Sequence, residues 1–194
     1  MKRHLAVLLI ASVSGLGLTA GAASAQEAHV APVTEFVQTN VAPWLNDPVI
    51  IEAIKAQNAA HASLTDADID ALDKKWRAEV DGSDRAMIDG ILANAVSKLL
   101  QEKQAASGGT ISEVFVMDNK GLNVGQSDAT SDYWQGDEAK FQKSFGAGKD
   151  AVFVDEIEKD ESTQALQSQA SMTISDEAGN PIGAITVGVN LDAL

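Results

Sequence analysis

The densest chemistry in this chain lies between positions 132 and 138, where Asp132, Tyr133, Trp134, Gln135, Asp137 and Glu138 stand together. Two aromatic rings beside carboxylates can hold an amine or a quaternary ammonium, since a ring face attracts a cation by about 0.5–2 kcal/mol. The same residues also have a plain structural reading. In it Asp137 caps a following helix, Trp134 fills a core, and Glu138 offsets Lys140 or Lys143. A second group, Asp155, Asp160, Glu161 and Ser162, falls where one strand hands over to the next, with Gln167 and Gln169 downstream. If those amides line a pocket they can both donate to and accept from a polar ligand, and Gln169, nearer the strand centre, is the better placed. The expected ligand-contacting residues are therefore Tyr133, Trp134, Gln135, Asp137, Asp155 and Gln169. Ser127, Asp132, Asp160 and Ser162 form an outer set that turns or loops also explain.

Other chemistries find little to work with. His29 and His61 are far apart in sequence and no His-x-x-x-His or Glu-x-x-His pair occurs, so no metal site is expected. Asp66, Asp68, Asp70 and Asp73 lack the glycine and the distal glutamate of a calcium loop and read as a solvated helix face. Gly146-Ala147-Gly148-Lys149 approaches a phosphate loop, but Lys143 stands where its first glycine belongs and Asp150 where its Ser or Thr belongs. There is no Gly-x-Ser-x-Gly elbow and no cysteine nucleophile. The expectation is a binding protein with no cofactor, not an enzyme.

Two kinds of element must position these residues. From Gln26 to Gln104 the apolar residues recur at helical steps: Val33, Phe36, Val37 and Val41; then Val49, Ile50, Ala53 and Ile54 after the Asn46-Asp47-Pro48 turn. A third helix begins at Thr65, whose hydroxyl can cap it, and carries Ile69, Leu72, Trp76 and Val80. A fourth, from Asp84 to Gln104, carries Met87, Ile88, Ile91, Leu92, Val96 and Leu99. Ser107-Gly108-Gly109 joins this half to a second one with a period of two. Ile111–Met117, the turn Asp118-Asn119-Lys120-Gly121 and Leu122–Gln126 make one hairpin. A loop and a short helix follow, about Asp137 to Phe145, with Phe141 and Phe145 one turn apart. Strands at 151–158 and 163–174, the turn at 176–181 and a strand at 182–189 complete five antiparallel strands. In the strand ending at Ile174, Leu166, Ser168, Ala170, Met172 and Ile174 share one face, and Gln167, Gln169, Ser171 and Thr173 share the polar other. Helices and strands segregated in this way define an α+β domain.

Composition narrows the partners. Lys2 and Arg3, the apolar run Leu5 to Ala11 and Ala23-Ser24-Ala25 read as a Sec-type signal peptide over residues 1–25, which predicts export to the periplasm. The remaining 169 residues suit one domain, with a helical segment at 26–109 and a sheet subdomain at 110–194. Removing two of 14 basic residues and none of 28 acidic ones leaves a formal charge of −16, which repels nucleic acid and anionic lipid. Later stretches are too short or too polar to span a bilayer. Without cysteine, stability rests on packing rather than disulfides.

DNKGLNVGQS, TSDYWQGDEAKFQ and VDEIEKDESTQALQSQASMTISDEAGNPIGAITVGVN, preceded by WLNDPVIIEAIKAQN and LTDADIDALDKKWRAE, resemble the single Cache (PDC-type) extracytoplasmic sensor domain in its free-standing exported form. The resemblance covers nearly all of residues 26–194, and the DYWQGDE block is its most specific part. It implies a PAS-like five-stranded antiparallel sheet with the N-terminal helices packed on one face and a small-molecule pocket on the other. It further implies signalling to a membrane-bound kinase or chemoreceptor. The ligand class that the residues favour is a small polar or cationic metabolite such as an amine or amino acid. A homodimer formed through the long helices is the alternative kind of partner.

Overall fold

The computed structural model describes residues 28–148, 150–159 and 165–194; the leader and the Asp160–Ser162 turn lie outside the described residues. Helix α1 is Val30–Asn40 and α2 is Pro48–Ala60, separated by a 3-10 turn at Ala42–Asn46. Pro48 sits in the first turn of α2, where its missing N–H costs nothing, and Asp47 accepts from Val49 N at 2.9 Å to cap it. Helix α3, Asp66–Val80, opens with the expected Thr65 cap, extended into a reciprocal box by Asp68. The Thr65 hydroxyl and backbone N–H hold the Asp68 carboxyl below its usual range.

The fourth expected helix is two. Helix α4 is Ala86–Leu92 and α5 is Ala95–Ala106, because Asn94 leaves the helical path. Its side chain accepts from Ser97 N at 2.8 Å and donates to Val124 O at 2.8 Å, so one amide starts α5 and ties it to the sheet. Helix α4 is capped from a distance, by the buried Glu79 carboxylate, which accepts from Met87 N at 2.7 Å and Ile88 N at 3.1 Å.

Strands β1 (Ile111–Met117), β2 (Asn123–Gln126), β3 (Val152–Val154), β5 (Leu166–Ser175) and β6 (Pro181–Asn190) run in the order β2-β1-β6-β5-β3, and a two-residue β4, Glu158–Lys159, pairs with β5. Every pairing is antiparallel. This is the expected α+β architecture with the N-terminal helices on one face. Val114, Val116, Ala170, Met172, Ile174, Ile185 and Val187 pack there against Val33, Val37, Ile50, Ile54 and Leu100. Gly125 of β2 lets α5 approach closely, since a Cβ there would lie 2.6 Å from Val96 Cγ1.

The other face departs from expectation. Gln167, Ser171 and Thr173 are buried, whereas Leu166, expected in the core, is 44% exposed at the start of β5. The covering element is the segment around helix α6 (Ala139–Gln142): Phe141 packs on Phe115, Met117 and Ala184, and stacks on Phe145 with ring centroids 5.0 Å apart. Ser171 and Thr186, both fully buried on that face, answer each other at 2.8 Å.

Candidate functional site

The aromatic–acidic block is held by a helix far away in sequence. Asp73, expected on a solvated face, is instead only 9% exposed. One carboxylate oxygen accepts from the backbone N–H of Tyr133 at 2.9 Å and of Trp134 at 3.0 Å, and the other accepts from Arg77 Nε at 2.7 Å. Arg77 then reaches Asp132 with Nη2 at 2.9 Å. Asp73 raises the Arg77 guanidinium further above its usual range, with Asp132 and Asp137 adding to the effect. One turn along α3, Trp76 is fully buried, donates Nε1–H to Thr130 O at 2.8 Å and stacks on Tyr133 at 5.5 Å. Trp76 and Tyr133, with Ile69, Ile88 and Leu122, form a separate small core at this end of the molecule.

The β1–β2 turn holds the loop from its other side. Gln135 N donates to Gly121 O at 2.8 Å, Asn123 N to Tyr133 O at 3.0 Å, and Trp134 Nε1 to Lys120 O at 2.9 Å. Gly121 adopts φ +82°, and a Cβ there would lie 2.5 Å from Gly136 Cα, so glycine is required on both counts.

Between α3 and the loop runs a cleft of about 370 Å³ lined by Asp66, Ile69, Asp70, Asp73, Arg77, Trp134 and Asp137. Trp134 is half-buried there, with its N–H turned to Lys120 O. Asp66, Asp70 and Asp137 are exposed around it, and Asp70 also holds Lys74 at 2.6 Å. Asp73 is neutralised by Arg77, so the charge open to a ligand is that of the exposed rim. An indole beside exposed carboxylates suits an amine or another small cation.

The predicted residues divide into places. Trp134 and Asp137 reach the cleft, and Asp132 stands behind it on Arg77. Tyr133 is 4% exposed in the small core; burial pushes its phenol above the usual range, and the charge of Asp118 adds to the rise. Ser127 accepts from Val114 N at 3.0 Å and so closes the β1–β2 edge. Gln135 points inward, donating to Asp132 O at 3.1 Å and to Asp132 Oδ1 at 3.2 Å. Asp155 and Gln169 lie at the β3–β5 edge, away from the cleft. Gln169 donates to Glu113 at 2.7 Å, while the Asp155 carbonyl accepts from Ser168 and is bonded to the buried His29 ring at 2.9 Å. Asp160 and Ser162 lie outside the described residues. Glu138 does pair with Lys140, at 2.9 Å.

Residue type gave no sign of Asp73 or Arg77. The signal for Asp73 is its phase: among the four aspartates of α3 it alone has a buried apolar residue at a helical step on both sides, four after Ile69 and three before Trp76. Among the described residues no cluster of three or more His, Asp or Glu is arranged to hold a metal, and no helix is long and apolar enough to cross a membrane.

No protein-family model and no curated protein sequence matches this chain. Solved structures do. The chain is similar to the sensor domain of the Vibrio cholerae histidine kinase DctB, with TM-score 0.51 and 13% identity over 88% of this chain and 52% of that one. It spans about half the length of that domain. Looser likenesses are the ligand-binding domain of the Pseudomonas fluorescens chemoreceptor CtaA solved with L-alanine (TM-score 0.40, 14% identity, 85% of this chain and 60% of that) and that of Campylobacter jejuni Tlp3 solved with 4-methylisoleucine (0.39, 13%, 76% and 62%). At these identities the likeness shows the fold alone, an α+β fold with an antiparallel sheet that this chain shares with that kinase sensor domain.

Proposed function

We propose that this chain is an exported sensor module that captures a small cationic or zwitterionic metabolite in the cleft beside Trp134 and reports through a membrane-bound kinase or chemoreceptor. The observation that carries this reading is the cleft itself, with an indole and the carboxylates of Asp66, Asp70 and Asp137 around one hollow. The shared fold with a kinase sensor domain supports it. The protein acts by binding and carries out no chemical turnover. The leader takes it to the periplasm, where amines and amino acids would meet a strongly acidic surface.

The loop is not a free lid. Asp73 and Arg77 fix its first half to α3, so a ligand shifts the protein only through its differential affinity for two arrangements of α3 and loop. The test is a thermal-shift screen of amines, amino acids and organic acids. A ligand at 100 times its dissociation constant adds about 2.7 kcal/mol of stability. Asp137→Asn should weaken a cationic hit several-fold while leaving the melting temperature of the free protein in place. No hit in a broad library of amines and amino acids would remove the reading.

The helix-mediated dimer gains less support. Among the described residues the large exposed apolar side chains are Val30, Val49, Val80, Ile157, Leu166 and Leu194, which gives neither α4 nor α5 a second apolar face.

A further inference from the structure

Within the helical layer, α1, the 3-10 turn and α5 converge on the start of β1 around a hollow of about 270 Å³. It is lined by the apolar Phe36, Trp44 and Ile111 and by the polar Asn40, Lys103 and Ser107. Phe36 and Trp44 pack on the main core but are only half-buried, so part of each ring stays open. The space exists because α5 ends in small residues there, Ala106 and Ser107.

Two of the polar side chains are spent within the chain. Asn40 Nδ2 donates to Phe36 O at 2.9 Å, and the Ser107 hydroxyl donates to Gln104 O at 2.7 Å and accepts from Ile111 N at 3.0 Å. Lys103 is not spent. Lys55, Lys74, Lys75, Arg77, Arg85 and Lys140 each stand beside a carboxylate, whereas among the described residues Lys103 meets only the Trp44 ring, with Nζ 5.4 Å from its centroid. A cation in the last turn of α5 suits the helix dipole, but the dipole leaves the ammonium's hydrogen bonds unmade. Trp44 Nε1–H also has no partner among the described residues. An ammonium and an indole N–H can only donate, so no reassignment of atoms changes the sign of what they attract.

We propose that this hollow binds a small aromatic carboxylate, with its oxygens on Lys103 Nζ and its ring against Phe36 and Trp44. An ammonium has three N–H bonds, and one turned to the indole leaves the others for carboxylate oxygens. Aromatic walls favour a ring over an alkyl chain through offset and edge-to-face contact. A volume of about 270 Å³ lies just below the usual range of ligand pockets, which limits the molecule to one ring. A bare inorganic anion gains nothing from the rings, and an amine meets a like charge. The Trp134 cleft selects the opposite charge, so this site stands whether or not the cleft binds a cation.

The test titrates the protein by calorimetry with benzoate, phenylacetate and 4-hydroxybenzoate, and with acetate and phosphate as anions that lack the ring. At least one aromatic acid is expected to bind at least tenfold more tightly than acetate or phosphate, and benzylamine should not displace it. Lys103→Met, which keeps the apolar stem, should weaken that acid at least tenfold. Lys98→Met removes the same charge from an exposed position on α5 and should leave the affinity unchanged. Absence of heat from all three aromatic acids at millimolar concentration overturns the proposal. So does binding that survives Lys103→Met, falls equally in Lys98→Met, or is matched by phosphate. If Lys103→Met fails to fold, a crystal structure of the unaltered protein soaked with the best acid decides: a carboxylate bonded to Lys103 Nζ supports the site, and an acid seated elsewhere overturns it.

Discussion

The Trp134 loop and the β3–β5 edge present similar residue types, carboxylates and amides beside a turn, but are held very differently. The loop is bound from two sides by groups distant in sequence: Asp73, Trp76 and Arg77 of α3, and the backbone of the β1–β2 turn. The edge is held by its own strand ladder, by side-chain bonds from Gln169 to Glu113 and from Ser168 to Asp155 O, and by the His29 ring on that same carbonyl. A backbone clamped through its N–H groups has a fixed shape, which a recognition loop needs if its indole is to stand at a set distance from Asp137. An edge tied by side chains can adjust at little cost.

The comparison breaks most directly at Trp76. Trp76→Ala removes a fully buried ring, its stack with Tyr133 and its bond to Thr130 O, and should cost about 3–5 kcal/mol in urea unfolding. A cost near 1 kcal/mol would mean that α3 rests beside the loop without holding it.

A second measurement uses the fact that Tyr133 is the only tyrosine in the chain. Its folded phenol lies above the unfolded value of about 10, chiefly because burial disfavours phenolate. The folded state thus keeps a proton that the unfolded chain gives up. The associated stability is whole below about pH 10 and falls as the pH rises from there toward the folded pKa. Ultraviolet titration should show no phenolate in the folded protein at pH 10, and ionisation should come with loss of near-ultraviolet dichroism. Free titration near pH 10 would show that the loop opens readily.

Much of the frame is legible in the chain because it depends on period. Val114, Val116, Met172 and Ile174 alternate, Ile50 and Ile54 recur at a helical step, and Thr65 with Asp68 announces a helix start. What stays hidden is contact across long separations. Asp73 is 60 residues from Tyr133, and only the folded chain brings its carboxylate under that N–H. Asn94 looks like an interior residue of a long helix until Val124 O, 30 residues on, takes its NH₂. The same limit applies to the polar face of β5: alternation marks Ser171 and Thr173 as sharing a side, but not that Phe141 and Ser144 close over it. The cleft is legible in residue type at Trp134 and Asp137, whereas the hollow at Lys103 is not, since Phe36, Trp44 and Lys103 stand on three elements that only the fold brings together.

The smallest expected effect lies at the edge. Gln169→Ala deletes the donor to Glu113, a bond to a half-buried carboxylate that keeps other contacts and can be reached by water. The change should cost about 0.5–1.5 kcal/mol, since a carboxylate left near solvent recovers most of its hydrogen bonding there. The loop should not register it: the combined emission of Trp44, Trp76 and Trp134 and any affinity measured at the cleft should match the unaltered protein, because among the described residues Gln169 bonds to Glu113 and its strand neighbours and not to α3 or residues 130–136. A loss of about 3 kcal/mol or more, or a shift in tryptophan emission that Trp134→Phe abolishes, would mean that sheet edge and loop form one cooperative unit. Asp155 and Gln169 would then share one cooperative unit with Trp134 despite their distance from the cleft.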